Sequence, residues 1–145
     1  LSKNKKIPIF IETFYDVTKR VHMNIDGFIF DENFISDFKI FFKKAIIESD
    51  QEWSDHKKLI LLKGSKVSDK VPRGFPFFCV TFGNEESYIH IIEDKKRFPK
   101  TFGLEILGGY FDADPTIWLH PNSDTEQSIK DRAKIMSELF SQLDF

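Results

Sequence analysis

Several kinds of residue are scarce in this chain, and each scarcity excludes something. One cysteine, Cys79, stands among 145 residues, so no internal disulfide can form and a Cys-based zinc site would lack its other ligands. No apolar run approaches the roughly 18 residues that a membrane span needs, and no signal-peptide pattern is present. A surplus of positive charge is also missing: the net charge of −2 removes the simplest case for nucleic-acid binding, a globally basic domain. The histidines, His22, His56, His90 and His120, lie far apart without zinc-type spacing. There is no glycine-rich phosphate loop, nucleophile elbow or HExxH motif. The residues imply no metal and no cofactor.

What remains is the composition of one compact domain, or of a small domain with part of a neighbour. Apolar residues make up 41% and charged residues 30%, and mean hydropathy is −0.32, which reads as soluble, globular and intracellular. Leu1 in place of a methionine suggests a piece of a longer protein. Phenylalanine is abnormally common, at 17 against 3 Tyr and 2 Trp. Charge is unevenly spread: residues 1–73 hold 14 Lys/Arg against 11 Asp/Glu, and residues 74–145 hold 7 against 12. The most basic stretch is 57–73, where Lys57, Lys58, Lys63, Lys66, Lys70 and Arg73 face only Asp69. It is either a solvated loop or, if its side chains converge, a surface that neutralises several phosphates.

Hydrophobic periodicity predicts strands over Ile7–Phe14 and Arg20–Phe30, with a turn at Tyr15–Lys19 and a bulge or bend at Gly27. A helix is predicted over about 33–50, where Phe34, Phe38, Phe41, Phe42 and Ala45 repeat at helical spacing. Leu59–Leu62 is a short strand, and 64–74 a turn-rich connection. Phe75–Phe82 and Ser87–Ile92 form a hairpin about Gly83-Asn84. A helix is expected from Pro99 to Leu107, ended by Gly108-Gly109, then a short turn of helix from Asp114-Pro115 through Leu119. A last helix runs to about Leu143, capped by Ser123 or Asp124, with Ile129, Ala133, Met136 and Phe140 on its apolar face. The order predicts an α+β fold with antiparallel strands and packed helices.

Most polar residues have plain structural roles. Cys79 reads as a buried hydrophobe, His90 as a packed or surface histidine, His120 as a loop residue, and Asp112 and Asp114 as turn and cap residues. The exception is Arg20-Val21-His22-Met23-Asn24, where alternation puts Arg20, His22 and Asn24 on one strand face. Arginine offers a bidentate phosphate donor, asparagine an amide, and a central imidazole can do nucleophilic or acid–base work on a phosphoryl group. Any amphipathic strand would also give a polar row.

The segment FIETFYDVTKRVHMNIDGF (10–28) resembles the end of the histidine-triad-like first C-terminal domain of CwfJ-type (Cwf19-like) splicing proteins. There the strand carries His-x-His-x-Gln, and His22 answers to the middle histidine, with Arg20 and Asn24 in the flanking places. VPRGFPFFCV (71–80), YIHI (88–91), RFPKTFGLE (97–105), LGGYFDADPTIW (107–118) and the closing helix resemble the second CwfJ C-terminal domain. The resemblance implies a division at 1–30, the truncated histidine-triad-like strands, and 31–145, the second domain. It implies a nuclear protein of late spliceosomes and intron lariats, with spliceosomal proteins or a lariat debranching enzyme as partners. RNA, branched or intron-derived, would be its ligand. Richness in Lys, Ile, Asn and Phe fits a fungal member.

Two departures shape the expected function. The triad-like unit is cut at Leu1, and Arg20 replaces its first histidine, which favours charge contact over proton shuttling. The first reading is therefore a non-catalytic RNA and protein docking module in spliceosomal RNA turnover. Its expected phosphate-binding residues are Arg20, His22, Asn24, Lys66, Lys70, Arg73 and His90. The alternative is a phosphodiesterase or nucleotide hydrolase with His22 as nucleophile, needing the upstream half of the domain. A third reading has the C-terminal part support the upstream unit by packing alone. The phenylalanines fall mostly at core spacing, and consecutive Phe77 and Phe78 must point to opposite faces of the sheet. That predicts a domain that buries both sheet faces.

Overall fold

A computed structural model describes residues 5–15, 23–49, 59–84 and 86–142. Strands β1 (Lys6–Phe14), β2 (Asn24–Asp31), β3 (Ile60–Leu62), β4 (Phe77–Phe82) and β5 (Glu86–Ile91) form one antiparallel sheet in the order β2-β1-β4-β5-β3. The described residues also form four helices: α1 (Ile35–Glu48), α2 (Phe102–Tyr110), α3 (Thr116–Leu119) and α4 (Glu126–Ser141). The fold is α+β, as the hydrophobic pattern predicts. The chain divides into two compact units, 1–113 and 114–145; the sheet, α1 and α2 belong to the first.

The alternation of side chains along the strands builds two different faces. Ile9 and Ile11 of β1 and Phe78, Val80 and Phe82 of β4 point to one face. There they meet Phe38, Phe42 and Ile46, spaced four apart on one stripe of α1, together with Phe98 and with Phe102 and Leu107 of α2. Each fully buried Phe contributes about 1.5–3 kcal/mol of apolar transfer energy. The rings meet mostly edge to face or tilted, with centroids 5.1 Å apart for Phe78–Phe102, 4.5 Å for Phe98–Phe102 and 5.9 Å for Phe42–Phe82. The opposite face carries Cys79 and Ile89, covered by Leu62, Val71 and Val67 from β3 and the loop after it. A helix layer thus closes one face, and a folded loop closes part of the other.

Several local expectations are corrected. Gly27 makes no bulge, because the β1–β2 register runs unbroken through the pair Phe10–Gly27. A Cβ at Gly27 would lie 3.5 Å from the Phe10 ring, an ordinary van der Waals contact. The helix near Pro99 starts at Phe102, with the Pro99 carbonyl accepting the Phe102 N–H at 3.1 Å. Gly108 and Gly109 lie inside α2 and do not end it; the chain turns just beyond, at Asp112, whose φ is 50°. In the second unit the cap of α4 is Thr125, whose hydroxyl accepts the Ser128 N–H at 3.2 Å. Asp124 instead takes both terminal nitrogens of Arg132, at 3.1 and 2.7 Å. Ile129, Met136 and Phe140, on the expected apolar face of α4, are more than half exposed. Helix α4 ends at Ser141, two residues before the expected Leu143, and 143–145 lie outside the described residues.

Gly103 is the point of closest approach between helix and sheet. A Cβ there would lie 2.7 and 2.8 Å from Ile11 side-chain carbons and 3.2 Å from the Phe78 ring. Gly109, on the exposed side of the same helix, has nothing within 4 Å of such a Cβ. Gly103→Ala should therefore lower stability by about 1–3 kcal/mol through overpacking, whereas Gly109→Ala should raise it by about 0.5–1 kcal/mol through helix propensity. Urea denaturation of the two variants decides this, and equal effects of one sign would remove the close-packing account.

Candidate functional site

The candidate residues fall on both faces of the sheet. Arg20 and His22 lie outside the described residues. Asn24 opens β2 and is exposed, its side-chain amide donating to the Asp26 carboxylate at 2.9 Å. The strand registers pair Asn24 with Thr13, Thr13 with Phe78 and Phe78 with His90. Asn24 and His90 therefore share one face and one rung, three strand spacings or roughly 14 Å apart. His90 is buried there, 1% exposed, with its ring stacked on Phe98 at 5.3 Å. It lies at the bottom of a recess of about 20 Å³ bordered by Ser49, Asp94 and Arg97. The Tyr15 hydroxyl donates to the Phe98 carbonyl, tying the end of β1 to this segment, and burial pushes the Tyr15 phenol up to about 12.

Lys66, Lys70 and Arg73 are on the other side, in the loop that covers the second face. The sequence folds this loop by simple means. Val67 and Val71 are apolar residues four apart, and a 3-10 turn at Val67–Asp69 brings both onto Cys79 and Ile89. The Val71 N–H donates to the Val67 carbonyl at 3.0 Å, and the Asp69 carboxylate accepts the Lys66 N–H at 3.1 Å. With its apolar residues turned inward, the loop leaves Lys66, Lys70 and Arg73 exposed. Lys63, at the start of the loop, is 3.8 Å from Glu86, a carboxylate that also pairs with Lys39 at 2.9 Å. Lys66, Lys70 and Arg73 have no ion pair of that kind among the described residues. Lys57 and Lys58 lie outside the described residues.

Between this loop and the sheet runs a groove of about 460 Å³. Glu12, Phe14, Met23, Val71, Phe75 and Phe77 line it, with Arg73 at its edge. The turn that places Arg73 and Phe75 is closed by the Phe75 N–H on the Pro72 carbonyl at 3.1 Å. Its third residue, Gly74, has φ 86°, as a type II turn requires. Glu12 and the groove rim escaped the sequence reading. The available signal was a lone carboxylate in the middle of the apolar run IPIFIETF.

Burial raises the Glu12 carboxyl above the ordinary carboxylate range. Its register partner Cys79 has a thiol pushed up to about 12, by burial first and by the nearby Glu12 charge, against hydrogen bonds from Thr81 and Ser87. A thiol so placed stays protonated and unreactive at neutral pH. Among the described residues no group of three or more His, Cys, Asp or Glu is disposed to hold a metal ion, and no helix is long and apolar enough to cross a membrane.

A sheet with one helix-covered face and one face under a folded basic loop defines a small α+β domain. Residues 52–145 match the family described as "Protein similar to CwfJ C-terminus 2", and the chain belongs to that family. It is 42% identical over 126 residues to CWF19-like protein 2 of Mus musculus, covering 87% of this chain and 14% of that protein. Against CWF19-like protein 2 of Homo sapiens it is 37% identical over 137 residues, covering 94% of this chain and 15% of that protein. The pre-mRNA-splicing factor cwf19 of Schizosaccharomyces pombe is 30% identical over 97 residues, 62% of this chain and 15% of that protein. The chain thus spans about one seventh of the length of these relatives.

Because the raised Glu12 carboxyl binds its proton more tightly in the folded state, ionising it costs stability above its folded pKa. That cost disappears as pH falls through this value toward the unfolded one. Glu12→Gln should therefore melt at a higher temperature than the wild type at pH 7, with the two curves converging below about pH 4. A variant less stable than wild type at pH 7 would refute the desolvation account.

Proposed function

We propose that this chain is an RNA- and protein-docking module of a splicing protein, acting in late spliceosomes or intron-lariat turnover in the nucleus. The observation that carries this reading is the anchored basic loop. Val67 and Val71 fix the backbone of 66–73 on the sheet, so Lys66, Lys70 and Arg73 are held out together at a small cost in ordering. Cations presented in this way contact phosphates and release counterions. The similarity to a pre-mRNA-splicing factor supports the setting. In this reading residues 1–30 are the end of a histidine-triad-like domain, sharing one sheet with 31–145, and Arg20, His22 and Asn24 are further phosphate contacts. Spliceosomal proteins or a lariat debranching enzyme are the protein partners.

Fluorescence anisotropy with linear and branched RNA tests this. Affinity should fall with salt at a slope near −0.7 per phosphate contacted, as for single strands. Reversing Lys66, Lys70 and Arg73 to Glu should weaken binding about tenfold or more and flatten the slope by about 2. Binding that ignores both salt and charge reversal would defeat the proposal.

A further inference from the structure

The groove beside the basic loop has a feature that phosphate contact alone does not require. Its lining includes a carboxylate, Glu12, that is half-buried and has no hydrogen bond or ion pair among the described residues. An ionised carboxylate only accepts hydrogen bonds, and a partly desolvated one gains most from a ligand that brings its own donors. The walls are aromatic and apolar. Phe14 and Phe77 lie with ring centroids 5.9 Å apart and tilted by 37°, Phe75 is 41% exposed and Met23 44% exposed. The groove's volume, about 460 Å³, falls within the ~300–1,000 Å³ of small-ligand clefts. Arg73 stands at the rim, in the turn that Gly74 makes possible.

The ligand these features select is flat, carries two adjacent N–H donors on one edge, and is linked to an anion. Among nucleobases only guanine has that edge, in N1–H and the N2 amino group. Adenine and cytosine would set a ring-nitrogen acceptor against the carboxylate, and uracil offers one donor between two carbonyls. A cationic peptide side chain would also suit Glu12, but Arg73 at the rim opposes it. We propose that this groove seats one unstacked guanine of a single-stranded RNA, its plane against Phe14, Phe75 and Phe77, its Watson–Crick edge on Glu12, and its phosphate on Arg73. Recognition of a splayed base by aromatic stacking and edge hydrogen bonds is the usual way proteins read single-stranded RNA. The inference rests on the RNA-docking reading and adds the base and its seat.

The test is anisotropy of the 145-residue chain with short uridine-rich RNAs carrying one central guanosine, inosine or adenosine. Guanosine should bind about tenfold tighter than adenosine, with inosine, which lacks the N2 amino group, between them. Glu12→Gln should collapse the three affinities to within about twofold, a bidentate contact being worth at least that much discrimination, while all-uridine RNA binds as before. The base substitutions use the unaltered protein, so the result does not depend on any variant folding. Equal affinities for the three RNAs, with binding still lost on charge reversal of the loop, would overturn the guanine seat and leave RNA docking intact. No binding to any RNA at low salt would overturn both. An arginine-bearing peptide that binds the wild type, competes with the RNA and is lost in Glu12→Gln would assign the groove to a protein partner and overturn the proposal.

Discussion

Phe78 lies at the middle of the sheet with none of its surface exposed, and its ring meets Phe42 of α1, Phe98 and Phe102 of α2. These contacts are possible because Gly103 has no side chain, so the first turn of α2 can lie directly on Phe78 and Ile11. Much else follows from that approach. It sets Phe98 over His90, which removes an imidazole from solvent and makes it part of the packing. It also places the Phe98 carbonyl where Tyr15 donates to it, so the end of β1 is tied to the segment leading into α2. Close-packed interiors transmit such constraints because their side chains have little room to shift.

With the helix side filled by Phe78, the alternation of the strand sends Phe77 to the other side. Among the described residues no helix of the first unit lies on that face. A loop covers it instead, and a loop can do so only by offering its own apolar residues. Val67 and Val71 supply them, and a short 3-10 turn supplies the spacing. A loop that uses its valines in this way must turn its lysines outward. The basic surface is therefore a direct consequence of how the second face is closed.

This explains which parts of the molecule were legible in the sequence. The strands, α1 and the hairpin at Gly83-Asn84 were readable because periodicity two and periodicity 3.6 are strong local signals. The basic stretch was readable as composition, but its order was not, since that depends on Val67 and Val71 finding Cys79 and Ile89 across the fold. Gly27 looks like a bulge or bend in a local reading, yet the strand register runs through it. Gly103 gives no local signal, yet its missing side chain makes room for Ile11 and Phe78, far away in sequence. Gly108 and Gly109 resemble a helix stop, but tertiary packing on Leu107 carries the helix through them. Glu12 was invisible as a site because its significance lies in the loop that folds over it.

The surplus of phenylalanine belongs mainly to the core, and the exceptions are informative. Phe38, Phe42, Phe78, Phe82, Phe98 and Phe102 are buried in the helix-side cluster. Phe14, Phe75 and Phe77 gather on the opposite side, around the groove that holds Glu12. A carboxylate is an expensive neighbour for aromatic rings when nothing pairs with it, since burial disfavours its charged form. Three rings, an arginine and a carboxylate with no partner among the described residues make poor sense as packing, because an apolar residue at position 12 would suit such walls better. They make sense as a surface left open for a flat ligand with donors on its edge and a negative charge beside it.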